Sequence, residues 1–320
     1  MRAPDFWKSG GPLATVLAPL GRLYGASVAW KARHATPFDP GVPVICVGNL
    51  TAGGSGKTPI AIAIARALMV RGHRPWFLTR GYGGTAKGPV QAARGHRARE
   101  MGDEALLLTR TAPTVVSRDR AAGARFAVEK GASAIVMDDG HQNFTLKKSL
   151  SLVVVDAQTG FGNGLMIPAG PLREPVAQGL ARADAVILVG DGEPDLGAYR
   201  GPVLRAHLQA ETAPFAGQPV FAFAGIGRPE KFVASLQEGG ADVVGSCFFA
   251  DHHPYEPDEI EQLKIIAGQV QLVTTEKDFV RLTPQQREGI RVLKVQARFA
   301  DDAGLDALMA QLLDLAAPPV

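Results

Sequence analysis

The feature that most restricts the fold of this chain is a glycine-rich run between an apolar stretch and a helical pattern. Residues 44–47 are apolar and mostly β-branched, and Pro59 stands where proline suits the first turn of a helix. A strand, a glycine-rich turn and a helix N-terminus in this order bind phosphate, because backbone N–H groups and the helix dipole favour an anion. The pattern predicts a nucleotide-binding loop made of Thr51, Ala52, Gly53, Gly54, Ser55, Gly56, Lys57 and Thr58.

Two side chains of this loop have the chemistry that a triphosphate requires. Lys57 brings a positive charge to the β- and γ-phosphates, and Thr58 brings a hydroxyl ligand to Mg²⁺. The loop departs from the usual spacing at Thr51, where glycine is expected. Since the core of the loop and its flanks match, we expect a nucleoside triphosphate to bind with Mg²⁺ and its terminal phosphoryl group to be transferred.

A second part of the metal site is predicted after residues 134–137, an apolar stretch that ends in Asp138-Asp139-Gly140. A hydrophobic strand followed by aspartate has the form of the Walker B element, whose aspartate helps to hold Mg²⁺. Neighbouring side chains of a strand point to opposite faces, so we expect only one carboxylate to bind the metal directly. Asp138 is the first choice and Asp139 the second.

The rest of the chain alternates short apolar stretches with helical patterns. Strands are predicted at residues 42–47, 76–79, 114–117, 134–137, 152–156, 185–189, 220–224, 242–247, 270–274 and 292–295, and helices at 59–71, 103–111, 118–130, 256–267 and 303–315. This alternation predicts an α/β, P-loop NTPase-like fold with a mostly parallel sheet flanked by helices. We expect three parts: an N-terminal membrane-associating segment (1–42), a P-loop kinase core (43–210) and a smaller C-terminal α/β domain (211–320).

Composition and charge exclude several other classes of protein. Hydrophobic residues make up 46% of the 320 residues and charged residues 20%, which suits a globular protein with a substantial core. The net charge of +3 is too small to indicate a nucleic-acid binder. Cys46 and Cys247 are the two cysteines, which predicts neither a disulfide framework nor a cysteine-based metal site, and a reducing compartment is the default.

The apolar stretch at residues 11–30 contains Pro12, Pro19 and Arg22. A charge at the centre of a bilayer costs about 2.5–3.5 kcal/mol or more, so a spanning helix fits poorly. A cleaved signal peptide is also disfavoured, because the loop that follows needs cytosolic nucleotide. We expect an amphipathic helix that lies on a membrane face or packs on the domain, with an ordinary core helix as the alternative. The basic side chains available to anionic headgroups are Arg2, Lys8, Arg22, Lys31 and Arg33.

Asp103 and a histidine pair are candidates for the acceptor side of the site. Asp103 begins a predicted helix and is either its N-cap or the carboxylate base that takes a proton from an acceptor hydroxyl. His252 and His253 follow a predicted strand, and either could share protons with Asp103. Zinc at the histidine pair is disfavoured, because one short spacing without a nearby cysteine is a weak signal.

Two loops that follow predicted strands offer further contacts. Arg80-Gly81-Tyr82-Gly83-Gly84 should be a mobile loop, and the basic stretch after it either is solvated or attracts an anion: Arg94, His96, Arg97 and Arg99. The long loop over residues 160–175 is expected to be functional because of its length. Within it, Arg173 suits a phosphate, and Glu174 suits Mg²⁺ or the acceptor.

The run Thr275-Glu276-Lys277-Asp278 superficially resembles the guanine-reading motif of GTPases. Its lysine is third rather than second, and Asp139 is followed directly by Gly140, so the Asp-x-x-Gly switch element is missing. Specificity for GTP is therefore disfavoured.

Together these motifs resemble the tetraacyldisaccharide 4′-kinase family, the lipid A 4′-kinases of Gram-negative bacteria. The resemblance covers nearly the whole chain, and its motifs follow the family's order between about residues 43 and 282. The most specific of them is Pro168-Ala169-Gly170-Pro171-Leu172-Arg173-Glu174-Pro175. The others are Gly48-Asn49-Leu50-Thr51 with residues 53–59, Arg80 to Gly84, Gly102-Asp103-Glu104, Asp138-Asp139-Gly140-His141-Gln142, Gly162-Asn163-Gly164, Asp251-His252 and Thr275 to Asp278.

The resemblance implies that ATP phosphorylates the 4′-hydroxyl of a tetraacylated glucosamine disaccharide 1-phosphate on the cytoplasmic face of the inner membrane, giving lipid IVA. It implies that Asp103 is the base, paired with His252, and that Glu174 assists at the site. Thr58 and the Asp138/Asp139 pair would serve Mg²⁺. Thr51 is normal for the family, but Asn143 stands where the family usually has histidine, so that histidine's role is not transferred to this chain.

Two other classes remain open at this stage. A membrane-associated P-loop ATPase that acts as a switch would share the loop and the Asp138 element but would hydrolyse ATP without an acceptor. A soluble small-molecule kinase or ligase would bury the N-terminal segment in its core. Neither a nucleic-acid partner nor a particular protein partner is implied.

Overall fold

A computed structural model describes residues 4–93 and 95–314, and beyond residue 310 it describes the backbone alone. Arg2, Arg94 and residue 315 of the predicted last helix therefore lie outside the described residues. The strands are β1 Val44–Gly48, β2 Pro75–Thr79, β3 Val90–Ala92, β4 Thr114–Val116, β5 Ala134–Asp138, β6 Leu150–Asp156, β7 Ala185–Val189, β8 Val203–Ala210, β9 Pro219–Ala224, β10 Asp242–Phe248, β11 Gln271–Thr275, β12 Ile290–Leu293 and β13 Val295–Phe299. The helices are α1 Phe6–Ser9, α2 Pro12–His34, α3 Lys57–Val70, α4 Ala98–Met101, α5 Asp103–Leu108, α6 Arg120–Glu129, α7 Val176–Leu180, α8 Pro229–Glu238, α9 Pro257–Ala267, α10 Glu276–Arg281 and α11 Asp302–Asp314, with a 3₁₀ turn at Ala213–Phe215.

The larger of two sheets has the strand order β13-β8-β7-β6-β1-β5-β2-β4-β3. It is parallel except at its edges, where β13 and β3 run antiparallel to β8 and β4. Its central strands β1 and β5 are buried along their whole length, as parallel strands covered on both faces are. The predicted mostly parallel sheet flanked by helices is confirmed.

The smaller sheet has the order β10-β9-β11-β12 with every pairing parallel, and it begins after β8 ends at Ala210. The chain then returns to the larger sheet, because β13 pairs with β8, and Leu308 and Met309 of α11 are buried in the larger core. The single strand predicted at 292–295 is thus two strands in two sheets. The division near residue 210 stays a prediction, with the last strand and helix of the chain belonging to the larger sheet.

Strands β3 and β8 and helix α8 were missed by the sequence pattern. Strand β8 lies beside the edge strand and is half exposed, and its polar residues Arg205, His207 and Gln209 alternate with apolar ones. A short alternating strand of this kind carries a weaker signal than the continuous apolar runs of the sheet centre.

Helix α2 packs on the domain through its small residues. A Cβ atom on Gly21 would lie 2.7 Å from the carbonyl oxygen of Met166, and one on Gly25 would lie 2.3 Å from the Met166 sulfur. The Trp7 indole N–H also donates to the carbonyl of Pro168 at 3.0 Å. The outer side of α2 exposes the large apolar residues Leu13, Val16, Leu20, Leu23, Tyr24 and Trp30. An ordinary core helix would bury these side chains, so the observed orientation differs from that alternative.

Within the described ranges, no helix has the length and apolar character needed to cross a membrane.

Candidate active site

The phosphate loop closes on the N-terminus of α3. Gly56 caps this helix with φ of 83°, a left-handed conformation that glycine adopts without a steric cost. The buried Asn49 side chain donates to the carbonyl of Thr51 at 2.7 Å and to the Ser55 hydroxyl at 3.1 Å. The loop is therefore fixed from inside, while the first N–H groups of α3 have no partner within the helix and suit a phosphate.

The backbone conformation at Thr51 explains why this position does not need glycine. Its φ is not positive, and its backbone forms an antiparallel bridge with Leu172. The backbone N–H of Ala52 donates to the carbonyl of Pro171 at 2.7 Å. Because an extended backbone accepts any residue, threonine costs nothing here, and the phosphate loop is joined to the loop over residues 168–175.

Thr58 and Asp138 form a buried pair behind the loop. Strand β5 lies next to β1, and the Thr58 hydroxyl donates to Oδ2 of Asp138 at 3.2 Å. Asp138 is 1% exposed, and within the described residues its Oδ1 atom has no hydrogen-bond partner. Burial, followed by the charge of Glu104, raises the pKa of Asp138 to about 7. A hydroxyl and an orphaned carboxylate oxygen are the hard ligands that Mg²⁺ takes together with substrate phosphates, so these residues fit Mg²⁺.

Asp139 lies in a different environment. Its Oδ1 atom accepts from Nη1 of Arg173 at 2.8 Å and lies 3.8 Å from Nζ of Lys57. Burial disfavours its charge, but Lys57 and Arg173 outweigh this and hold the pKa of Asp139 below its ordinary value. Asp139 and His252 are the non-glycine residues with positive φ in the described ranges, at 56° and 62°. Such strained positions concentrate at functional sites.

Asp103 is the first residue of α5 and not its N-cap, which is Gly102. Its Oδ2 atom accepts from Nδ1 of His252 at 3.0 Å and from Nε and Nη2 of Arg281 at 3.0 and 2.5 Å. Burial opposes ionisation, but the hydrogen bond from His252 and the charge of Arg281 hold the pKa of Asp103 far below its ordinary value. The hydrogen bond to Asp103 raises the pKa of His252.

The structure decides which histidine meets Asp103. The Nε2 atom of His253 lies 2.8 Å from Oε2 of Glu259, whereas the Nδ1 atom of His252 lies 3.0 Å from Oδ2 of Asp103. In the described part of the chain, no group of three or more His, Cys, Asp or Glu side chains could hold a metal ion.

Helix α5 relates Asp103 to the phosphate loop. Glu104, the next residue, is close enough to Asp138 for its charge to raise the pKa of that carboxyl. Lys277 from α10 lies 3.2 Å from Glu104. The start of α5 therefore faces both the Thr58–Asp138 pair and the smaller sheet, and it brings the predicted base to the edge of the sheet that carries the phosphate loop.

The hydrogen bonds of the Glu174 side chain are to residues other than Thr58 and Asp138. It is 2% exposed, and its two carboxylate oxygens accept from Gln142 at 2.9 Å and from Arg182 at 2.6 Å. Gln142 also donates to the carbonyl of Asn49 at 2.8 Å. Through Gln142, Glu174 thereby supports the start of the phosphate loop at Asn49. A direct part of Glu174 in the reaction stays a prediction.

The side chains of His141 and Asn143 both form hydrogen bonds with other residues of the chain. The His141 ring is fully buried, and its Nε2 atom lies 2.9 Å from the carbonyl oxygen of Gly179. Burial, and then the charge of Lys148, lowers the pKa of His141 to about 3, which keeps the ring neutral. Asn143 exchanges hydrogen bonds with Thr145.

The run from Thr275 to Asp278 joins the two sheets. The Thr275 side chain caps α10, and the buried Asp278 carboxylate accepts from the Tyr255 hydroxyl at 2.9 Å and from Arg281 at 2.9 Å. Lys277 reaches Glu104, as described above. With both side chains committed to the protein, this run is not arranged to read a guanine base.

Two arginines of the site were missed by the sequence pattern. Arg120 is 4% exposed, and burial lowers its pKa to about 10, while the charges of Asp139 and Asp138 act in the opposite direction. It was predicted only as part of a helix. Arg281 lies 178 residues from Asp103 in the chain, so no local pattern links the two.

A mostly parallel sheet with a phosphate loop after β1 and an aspartate pair at the end of β5 defines a P-loop nucleotide-binding protein of the α/β class. Residues 13–314 match the family model described as Tetraacyldisaccharide-1-P 4′-kinase, and the chain belongs to this family. The resemblance drawn from the sequence motifs is therefore confirmed.

Relatives and a solved structure agree with this assignment. The tetraacyldisaccharide 4′-kinase of Paramagnetospirillum magneticum is 52% identical over 92% of this chain and 94% of the relative. That of Rhodospirillum rubrum is 48% identical over 98% of both chains. The structure described as the "apo" form of LpxK from Aquifex aeolicus in complex with ATP has a TM-score of 0.78 and 25% identity. It covers 94% of this chain and 99% of that chain.

Proposed function

We propose that this chain transfers the γ-phosphoryl group of ATP to the 4′-hydroxyl of tetraacyldisaccharide 1-phosphate, forming lipid IVA. The observation that carries the proposal is the ionised Asp103 carboxylate, held by His252 and Arg281, at the same sheet edge as the phosphate loop. An ATPase switch needs the loop and the Asp138 element but has no use for a positioned base. A kinase that acts on an alcohol needs all three.

In this mechanism the loop from Thr51 to Thr58 holds the phosphates, and Lys57 neutralises part of their charge. Thr58 and Asp138 would hold Mg²⁺, with Asp139 as the second carboxylate; the ion, when bound, screens charge on the transferred phosphoryl group. Asp103 accepts the proton of the 4′-hydroxyl, and His252 orients Asp103 through its Nδ1 hydrogen bond. Most of the rate gain comes from positioning and charge neutralisation.

The function is tested with purified protein, ATP, Mg²⁺ and a defined tetraacyldisaccharide 1-phosphate acceptor. Mass spectrometry and fragmentation of the product should locate one added phosphate at the 4′ position. Absence of that product would overturn the proposal. ATP hydrolysis at the same rate with and without acceptor would instead support the ATPase alternative.

We also propose that α2 brings the enzyme to its lipid acceptor at the cytoplasmic face of the inner membrane. Its small residues pack on Met166, while its large apolar side chains point to solvent. Basic residues at its C-terminal end, Lys31 and Arg33, are placed to meet anionic headgroups. A four-chain lipid does not leave a bilayer readily, so the enzyme must meet it there.

Replacing Val16 and Leu23 by glutamate should lower binding to anionic lipid vesicles by about tenfold or more, because each buried apolar side chain contributes about 1.5–3 kcal/mol. Vesicle sedimentation measures the effect. Ile265 and Ile266 on α9, 77% and 65% exposed against 73% and 68% for Val16 and Leu23, provide the matched control, and the double replacement of both by glutamate should bind as the wild type does. Equal sedimentation of all three proteins would contradict the membrane role of α2.

A further inference from the structure

Arg281 makes more contacts with the Asp103 carboxylate than His252 does. It donates to Oδ2 from Nε and from Nη2, at 3.0 and 2.5 Å. The two side chains are 4% and 6% exposed. Within the described residues, every side-chain hydrogen bond to this carboxylate ends on Oδ2, and none ends on Oδ1.

The guanidinium of Arg281 is itself fixed from behind. Its Nη1 atom donates to the carbonyl of Gly225 at 2.7 Å and to Oδ1 of Asp278 at 2.9 Å. Asp278 is fully buried and also accepts from the Tyr255 hydroxyl and the backbone N–H of Gly225. All of these groups belong to the smaller sheet and its helices, whereas Asp103 belongs to the larger sheet's side of the molecule.

We propose that Arg281 is a positioning residue for phosphoryl transfer: it holds Oδ2 of Asp103 so that Oδ1 is left to accept the proton of the acceptor hydroxyl. This inference rests on the proposed function, because it assigns the geometry of the base used there. A planar guanidinium with several fixed donors suits the task better than an ammonium group. The smaller sheet thus supplies both partners of the base, His252 and Arg281.

The charges around Asp103, His252 and Arg281 determine how the pKa of His252 changes when Arg281 is removed. Asp103 is faced by His252, Arg281 and Lys277, and His252 is faced by Asp103, Arg281 and Asp251, whose Oδ1 atom lies 3.8 Å from Nε2. The positive charge of Arg281 lowers the pKa of His252 against the stronger effect of Asp103. Removing Arg281 should therefore raise the pKa of His252 further, whereas disruption of the cluster should return it to its ordinary, lower value.

The test is Arg281→Met, studied by kinetics and by NMR titration of the His252 ring, whose signal is assigned by its loss in His252→Gln. We expect kcat to fall about tenfold or more, part of the 10²–10⁴-fold that a positioned base contributes, with KM for ATP unchanged within about twofold. The pKa of His252 should rise. Arg281→Lys keeps the charge and should recover part of kcat with a His252 pKa close to that of the wild type.

Arg287→Met is the matched control, because Arg287 donates to the carbonyls of Phe279 and Val280 and does not touch Asp103. It should leave the His252 pKa and kcat as in the wild type. An unchanged kcat in Arg281→Met would overturn the proposal. So would a His252 pKa that falls in both Arg281→Met and Arg281→Lys. If Arg281→Met does not fold, an Arg281→Lys variant with full kcat would overturn it as well. The titration needs no turnover, so its outcome is separate from a failure of the kinase assay on wild-type protein.

Discussion

Replacing Asp103 by asparagine is expected to lower kcat by about 10²–10⁴-fold, the range that a positioned general base contributes. The amide has the shape of the carboxylate but cannot accept the proton of the acceptor hydroxyl. Affinity for ATP should change little, because the contacts of Asp103 are with His252 and Arg281 and not with the phosphate loop. Steady-state kinetics with the lipid acceptor and calorimetric titration with ATP measure the two effects.

The histidine pair provides a control with the same residue type. His252 contacts Asp103, whereas the next residue, His253, contacts Glu259. His252→Gln should therefore lower kcat, and His253→Gln should leave it within about twofold of the wild type. If Asp103→Asn retained near-full turnover, or if His253→Gln were the more damaging histidine variant, the assignment of the base would be wrong.

Replacing Asp138 by asparagine is expected to act on activity and stability in opposite directions. Activity should fall by about 10²-fold or more, because the Thr58–Asp138 pair loses the carboxylate proposed to hold Mg²⁺. The metal-free protein at pH 8 should become more stable, on the order of 2–4 kcal/mol, since each pKa unit corresponds to about 1.4 kcal/mol. Thermal unfolding in a chelator, from pH 4 to pH 8, measures this change.

The sign follows from the direction of the shift. Burial raises the pKa of Asp138 to about 7, above the 3.8 of an unperturbed aspartate. The neutral acid suits the buried site, so its contribution to stability is fully present below about pH 4 and is lost as the pH rises through about 7. At pH 8 the folded protein carries a buried carboxylate, and asparagine removes that cost. The two proteins should therefore converge in stability near pH 4.

Asp139 provides the opposite control. Lys57 and Arg173 hold its pKa below the ordinary value, so its ionised form stabilises the fold above about pH 4. Asp139→Asn should destabilise the protein at pH 8, where Asp138→Asn stabilises it. Loss of stability in both variants at pH 8 would contradict the assigned environments.

The phosphate loop and the aspartate pair could be predicted because their signals are local. A strand, a glycine-rich turn, Lys57 and Thr58 lie within some 15 consecutive residues, and Asp138 directly ends an apolar strand. Parallel strands carry their ligands at their carboxyl ends, so two such motifs are expected to meet. The structure places them together through the pairing of β1 with β5 and the Thr58–Asp138 hydrogen bond.

The strands that were missed or merged have weaker local signals. Strand β8 alternates polar and apolar residues near a sheet edge, and β12 and β13 follow each other with only Lys294 between them. A sequence window contains no information on which sheet a strand will join. Strand β13 pairs with β8 because the chain leaves the smaller sheet after β12 beside the edge of the larger sheet, and that position is a property of the whole fold.

By itself the sequence determined the glycine-rich loop, the α/β class and the family, and it predicted the carboxylates proposed to hold Mg²⁺, because each depends on residues that are near neighbours in the chain. The resemblance implied His252, but only the tertiary structure placed its ring against Asp103, brought Arg281 to Asp103 across 178 residues, and turned the apolar side of α2 to solvent. These arrangements depend on which surfaces pack together after the chain has folded. Side-chain chemistry predicts that a carboxylate needs a cationic partner, but the packing of α10 against α5 decides which arginine it is.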